Sequence, residues 1–112
     1  MNSDIRLSVA FWDHPKTVKL ERRLGLPGVK SLQILWLWAA QNRPNGDLGV
    51  DEEDIEIAAR WTGENGKFLS CLVDLRWIDR DEDGYSIHDW EEHNSWASKA
   101  DYQLNLTDSA MA

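Results

Sequence analysis

Between Asp51 and Asp89 the spacing of apolar residues changes character, and that order constrains the fold more than any other stretch. Asp51-Glu52-Glu53-Asp54 opens a run in which Ile55, Ile57, Ala58 and Ala59 recur at helical intervals, and Trp61-Thr62-Gly63 interrupts it. Asp51 suits an N-cap, and the acids behind it favour the positive end of the helix dipole, so this acidic cluster has a sufficient structural reason. Phe68, Leu69, Leu72, Val73 and Leu75 then mark the inner side of a second helix, with Thr62 as its expected cap. Two strand-like runs follow, Trp77-Ile78-Asp79 and Tyr85-Ser86-Ile87-His88. The loop between them, Arg80-Asp81-Glu82-Asp83-Gly84, is polar and ends in Gly, as in a hairpin.

Upstream, Ile5, Leu7, Val9 and Phe11 alternate with Arg6, Ser8 and Ala10, which predicts a half-buried strand or extended arm. Asp13-His14-Pro15 is a helix start with Pro at the first helical position, and the helix from Lys16 to Leu24 stops at Gly25. Leu26-Pro27-Gly28 reads as a turn. The next helix, Val29 to about Asn42, is the most hydrophobic in the chain. Leu32, Leu35, Trp36 and Ala39 form its stripe, and Ile34, Leu37, Trp38 and Ala40 broaden it, so burial on more than one side is expected. Such a helix sits at the centre of the fold or shares a face with another subunit; the first is the simpler expectation. Arg43 to Asp47 is a turn, and Leu48-Gly49-Val50 suffices for a minimal strand. The order predicts a mainly α chain with a small β wing (α+β), a winged helix-turn-helix. A C-terminal helix is expected over residues 90–97. One domain would cover residues 1–100, with 101–112 a frayed tail or linker stub.

At 112 residues and 42% hydrophobic, with seven tryptophans, the chain supports one core without covalent staples. Cys71 is the single cysteine, so no intrachain disulfide forms, which fits a reducing compartment. The N-terminus lacks a signal-peptide profile, and the longest apolar run, Ile34 to Ala40, is too short to span a bilayer. A soluble cytoplasmic protein is expected. The net charge of −8 is unevenly placed: residues 1–43 carry seven bases and three acids, residues 44–112 five bases and seventeen acids. A partner can read that polarity.

Lys16, Lys19, Arg22 and Arg23 crowd one helix, and Lys30 follows. They form a solvated face or a patch for phosphate or an acidic partner. The outer face of the second helix of the 51–89 unit offers Glu64, Asn65, Lys67, Ser70, Cys71 and Asp74, with Arg76 at its end. The wing offers Asp79, Asp81, Glu82 and Asp83 around Arg80. Both surfaces are badly charged for a phosphate backbone. Asp79 to Gly84 copies the first half of a calcium loop, but the twelfth position is Trp90, so an acidic hairpin tip is the better account. His88 and His93 stand five residues apart, on different helix faces, and are expected to hydrogen-bond within the packing of the C-terminal helix. No metal site, cofactor or catalytic motif is expected. Among the aromatics, Trp36, Trp38 and Trp77 read as core. Trp12 and Trp61, beside breaks, are the better candidates for exposure and base stacking.

Several stretches resemble the N-terminal winged-helix domain of phage and prophage replication proteins, the replisome organisers and their DnaD-like relatives. They are Phe11 to Leu20, Leu35 to Ala40, Gly46-Asp47-Leu48, Asp54 to Ala58, Leu72 to Ile78 and Ile87 to His93, and the likeness covers roughly residues 5–97. The resemblance implies a role in starting replication: origin binding, self-assembly and recruitment of helicase or helicase loader. In the DnaD-like branch this domain serves mainly in oligomerisation. With an acidic wing, the expectation is a protein-interaction or oligomerisation module and a homo-oligomer, with Val9, Phe11, Trp36 and Trp38 as self-association candidates. Any DNA contact would come from Lys16, Lys19, Arg22, Arg23 and Lys30. The alternative is a direct DNA-binding initiator or transcriptional regulator.

Overall fold

A computed structural model of the chain describes residues 9–90. The expected arm over residues 5–8, the helix beyond Trp90, His93 and the 101–112 tail lie outside the described residues.

The expected strand does not reach Phe11. Phe11–Asp13 is a single 3-10 turn, closed by Asp13 N–H to the Ala10 carbonyl (3.1 Å) and His14 N–H to the Phe11 carbonyl (3.2 Å). Burial of one large ring decides this: Phe11 packs edge-on to Trp36 (5.5 Å between centroids, 71°), and Trp36 packs likewise on Trp77 (5.6 Å, 64°). Helix α1 follows, Pro15–Asn42. His14 caps it through Nδ1, which accepts the Lys16 N–H (3.2 Å). Gly25, at φ 75° and ψ −174°, divides α1 into two halves. The expected turn at Leu26-Pro27-Gly28 is instead helical. Proline needs no N–H partner in a first helical turn, so Pro27 starts the second half rather than delaying it to Val29.

Strand β1, Asp47–Gly49, begins one residue earlier than expected. Helix α2 is Glu52–Ala58, capped as anticipated by Asp51, whose carboxylate accepts the Asp54 N–H (3.0 Å). Helix α3 is Lys67–Asp74, and its N-cap is Gly66, not Thr62. Strands β2, Ile78–Asp81, and β3, Gly84–Ile87, pair antiparallel from Ile78 opposite Ile87 to Asp81 opposite Gly84. The hairpin tip is therefore only Glu82-Asp83, tightened by Asp81 Oδ1 accepting the Asp83 N–H (2.8 Å). β3 also pairs antiparallel with β1, giving a three-stranded sheet in the order β1-β3-β2.

The fold class is thus α+β: three helices and a small antiparallel sheet. One core joins them. Leu20, Leu32, Leu35 and Trp36 of α1 meet Ile55 of α2, Phe68 and Leu72 of α3, and Ile78 and Ile87 of the sheet. The hydrophobic second half of α1 is central, as expected, with Val29, Leu32, Leu35 and Ala39 fully buried. Among the described residues no helix is long and apolar enough to cross a membrane.

Candidate interaction surfaces

The basic stripe on α1 splits in two. Lys16 is half-buried; its ammonium donates to the Arg76 carbonyl (2.6 Å) and lies 4.5 Å from the Trp77 ring centroid. Burial pulls its pKa below the ordinary lysine value, Asp89 and Asp79 oppose that shift, and Arg76 reinforces it. Arg23 donates to the Asp74 carboxylate, and that hydrogen bond pushes its guanidinium pKa up. Helical spacing explains the pair: residues seven apart stand on one side of α1, and that side adjoins the end of α3. Lys16 and Arg23 therefore join α1 to the end of α3. Lys19, Arg22 and Lys30 are exposed and make no ion pair among the described residues.

The outer face of α3 presents Lys67, Ser70 and Asp74, with Glu64 and Asn65 before it and Arg76 after it, all exposed. Cys71, expected on this face, is buried, and burial raises its thiol pKa while the nearby Arg23 opposes the rise. Along the hairpin, Asp79, Arg80, Asp81, Glu82 and Asp83 are exposed. The Arg80 guanidinium lies 5.6 Å from the Tyr85 ring centroid, and the Tyr85 hydroxyl donates to the Glu52 carboxylate. A cleft of about 290 Å³ runs between α3 and the hairpin, lined by Glu52, Leu69, Ser70, Val73, Arg80 and Tyr85. A wider depression of about 610 Å³ shares Glu52, Arg80 and Tyr85 with it and adds Val50, Glu53 and Glu82. The rim of this wider depression is predominantly acidic, with Asp51, Glu52, Glu53, Asp81 and Glu82 around Arg80.

Of the four residues anticipated for self-association, Phe11 and Trp36 are core, 5% and 1% exposed, because the aromatic cluster consumes both rings. Trp38 is half-buried beneath Arg43, and Val9 is fully exposed. Among the described residues the other aliphatic side chains that face solvent are Val18, Leu26, Leu37, Val50 and Ile57. Helical period alone misses them because each lies within or beside a run that is mostly buried.

Trp12 is 48% exposed, as anticipated. Trp61 is only half-buried; it stacks on Phe68 (5.5 Å, 23°) and donates from Nε1 to the Glu64 carbonyl (2.9 Å). Trp36 and Trp77 are core. Among the described residues His88 reaches Asp79 and Asp89: Nδ1 lies 2.8 Å from Asp79 Oδ2, and Nε2 lies 3.2 Å from Asp89 Oδ2. Among the described residues no group of three or more His, Cys, Asp or Glu is arranged to hold a metal ion.

One buried carboxylate escaped the sequence reading. Glu56, 8% exposed, accepts the Gly66 N–H at Oε1 (2.8 Å) and the Leu69 N–H at Oε2 (3.0 Å), and so caps α3 from α2. The signal for it was indirect: a Gly at the N-cap leaves helix donors that another side chain must satisfy.

Comparison with protein-family models, with curated proteins and with solved structures finds no match.

Proposed function

We propose that this chain is a winged-helix module of a phage-type replication protein, similar to the replisome organisers and DnaD-like proteins. In this reading it acts mainly through protein interaction or oligomerisation. The order β1-α2-α3-β2-β3 with sheet order β1-β3-β2 supports a helix-turn-helix followed by a wing. The observation that carries the interaction role is the charge of the two surfaces such a fold offers to DNA. The face of α3 is mixed, with Lys67 and Arg76 against Glu64 and Asp74 and the last already held by Arg23, and the hairpin has Asp79, Asp81, Glu82 and Asp83 around Arg80. Phosphate would gain little from the helix and be repelled by the hairpin. Exposed aliphatic residues on α1, before α2 and on α2 supply apolar contact area for a protein partner.

A second reading, direct DNA binding as an initiator or regulator, is favoured by one observation. Lys19, Arg22 and Lys30 are exposed and uncompensated among the described residues. One experiment separates the two. Fluorescence anisotropy of a labelled random duplex and of a single strand is followed at low and at physiological salt, alongside sedimentation of the protein alone. Absent DNA binding with concentration-dependent size supports the interaction module. Binding that weakens steeply with salt, and is lost in Lys19→Glu/Arg22→Glu/Lys30→Glu, supports the DNA reading.

A further inference from the structure

We propose that copies of this chain associate head to tail, the exposed face of α1 on one copy docking against the concave α2–hairpin face of the next. The inference rests on the interaction reading above and names its surfaces.

Aliphatic side chains face solvent on two separate parts of the molecule. On α1, Val18 is 41% exposed and Leu26 59%. Each is followed four residues later by an exposed base, Arg22 before the Gly25 break and Lys30 after it. A residue and its i+4 neighbour share a helix face, so both halves of α1 show an aliphatic-basic pair to solvent. Lys19 adds a third exposed cation, and Glu21 is an exposed acid beside them. On the other side, Val50 is 70% exposed and Ile57 63%. Ile57 follows Glu53 by four residues on α2, and Val50 opens the depression that Glu52, Glu53 and Glu82 border. Arg60 and Arg80 are the bases nearby, and Arg80 already lies against Tyr85.

The two surfaces therefore pair in kind: two exposed aliphatics with Lys19, Arg22 and Lys30 along α1, two exposed aliphatics with Glu53 and Glu82 around α2 and the hairpin. They cannot meet within one molecule, because α1 turns its opposite side, Leu20, Leu32 and Leu35, to the core it shares with α2. Against itself each face would be repelled. A contact between unlike faces is heterologous, and repetition of it builds rings or open chains rather than a closed two-fold dimer. Charge complementarity fixes which face meets which, and the aliphatic side chains supply the buried area.

The test is a charge swap on the full chain. One variant reverses the α1 face, Arg22→Glu/Lys30→Glu, and the other reverses the concave face, Glu53→Lys/Glu82→Lys. All four positions are exposed, and circular dichroism with a thermal melt checks that both variants fold. By sedimentation velocity, the native chain should grow with concentration, its apparent association weakening at least about tenfold between about 50 and about 500 mM salt. Each variant alone should remain a monomer, and an equimolar mixture should regain association. Association that survives in either variant alone, that fails to return on mixing, or that is indifferent to salt overturns the head-to-tail contact while leaving an assembly role standing. A native chain that stays monomeric at every concentration overturns both.

Discussion

Glu56 on α2 holds both the Gly66 and the Leu69 backbone N–H groups, so a side chain from one helix serves as the N-terminal cap of the next. The relationship ties α2 to the start of α3 beside the apolar contacts between them. It also lets position 66 be Gly, whose φ of 84° no capping Ser or Thr would favour. Glu56→Ala should cost about 1–3 kcal/mol by orphaning two donors at a helix start. Glu56→Gln, which keeps one acceptor, should cost less. Urea unfolding measures both, and a loss for Glu56→Ala with none for Glu56→Gln would show that the carboxylate contributes only bulk.

Thr17 is fully buried in α1, and its hydroxyl has no hydrogen-bond partner among the described residues. A valine keeps the shape and removes the desolvated hydroxyl. Thr17→Val should raise stability by about 1 kcal/mol, visible as a higher urea midpoint at unchanged slope. A loss would mean that the hydroxyl is bonded.

Gly46 combines two demands. Its φ is 81°, and a Cβ there would stand 2.6 Å from Cγ of Trp90, whose indole donates to the Pro44 carbonyl (2.7 Å). Gly46→Ala should cost about 2–4 kcal/mol, the sum of left-handed strain and overpacking. Gly49, at φ 82° with open space around it, supplies the control: Gly49→Ala should show the backbone cost alone, about 1–2 kcal/mol. Thermal melts followed by tryptophan fluorescence compare the two.

The hydrogen bond from Tyr85 to Glu52 raises the phenol pKa above its ordinary value of 10.0. The folded state thus holds this proton more tightly than the unfolded chain does. The resulting stability is complete below about pH 10 and is lost as pH rises through the folded-state pKa. Tyr85→Phe should lower stability at neutral pH by about 1 kcal/mol or less, and should flatten the alkaline decline. Spectrophotometric titration checks the cause: the late-titrating tyrosine should disappear in the variant and shift down in Glu52→Gln.

Arg23 and Asp74 are both largely exposed, so breaking their ion pair should leave the melting temperature nearly unchanged. Lys16→Ala should be more disruptive, because the lysine ammonium lies over the Trp77 ring and holds the Arg76 carbonyl. A fall in the melting temperature for Lys16→Ala but not for Asp74→Ala would show that, of the two links from α1 to the end of α3, the half-buried one carries the stability.

Local chemistry wrote much of this fold into the chain. Period and capping residues placed α1, α2, α3 and the hairpin near their observed positions, because Asp51, Pro15 and Gly25 act on the backbone within one turn. The hydrophobic second half of α1 announced its own burial. The tertiary structure decided what sequence spacing does not carry. Phe11 left its alternating pattern for a 3-10 turn because Trp36 and Trp77, distant in sequence, offered it a ring cluster. Lys16 and Arg23 left the basic patch because the end of α3 lies beside them, and Glu56 found its donors ten and thirteen residues away. The sequence alone determined that a helix opens at Pro15, that Asp51 caps α2 and how charge divides along the chain. Only the packed structure decided which charged and aliphatic side chains remain free to meet a partner, since burial and pairing depend on neighbours that the linear order keeps apart.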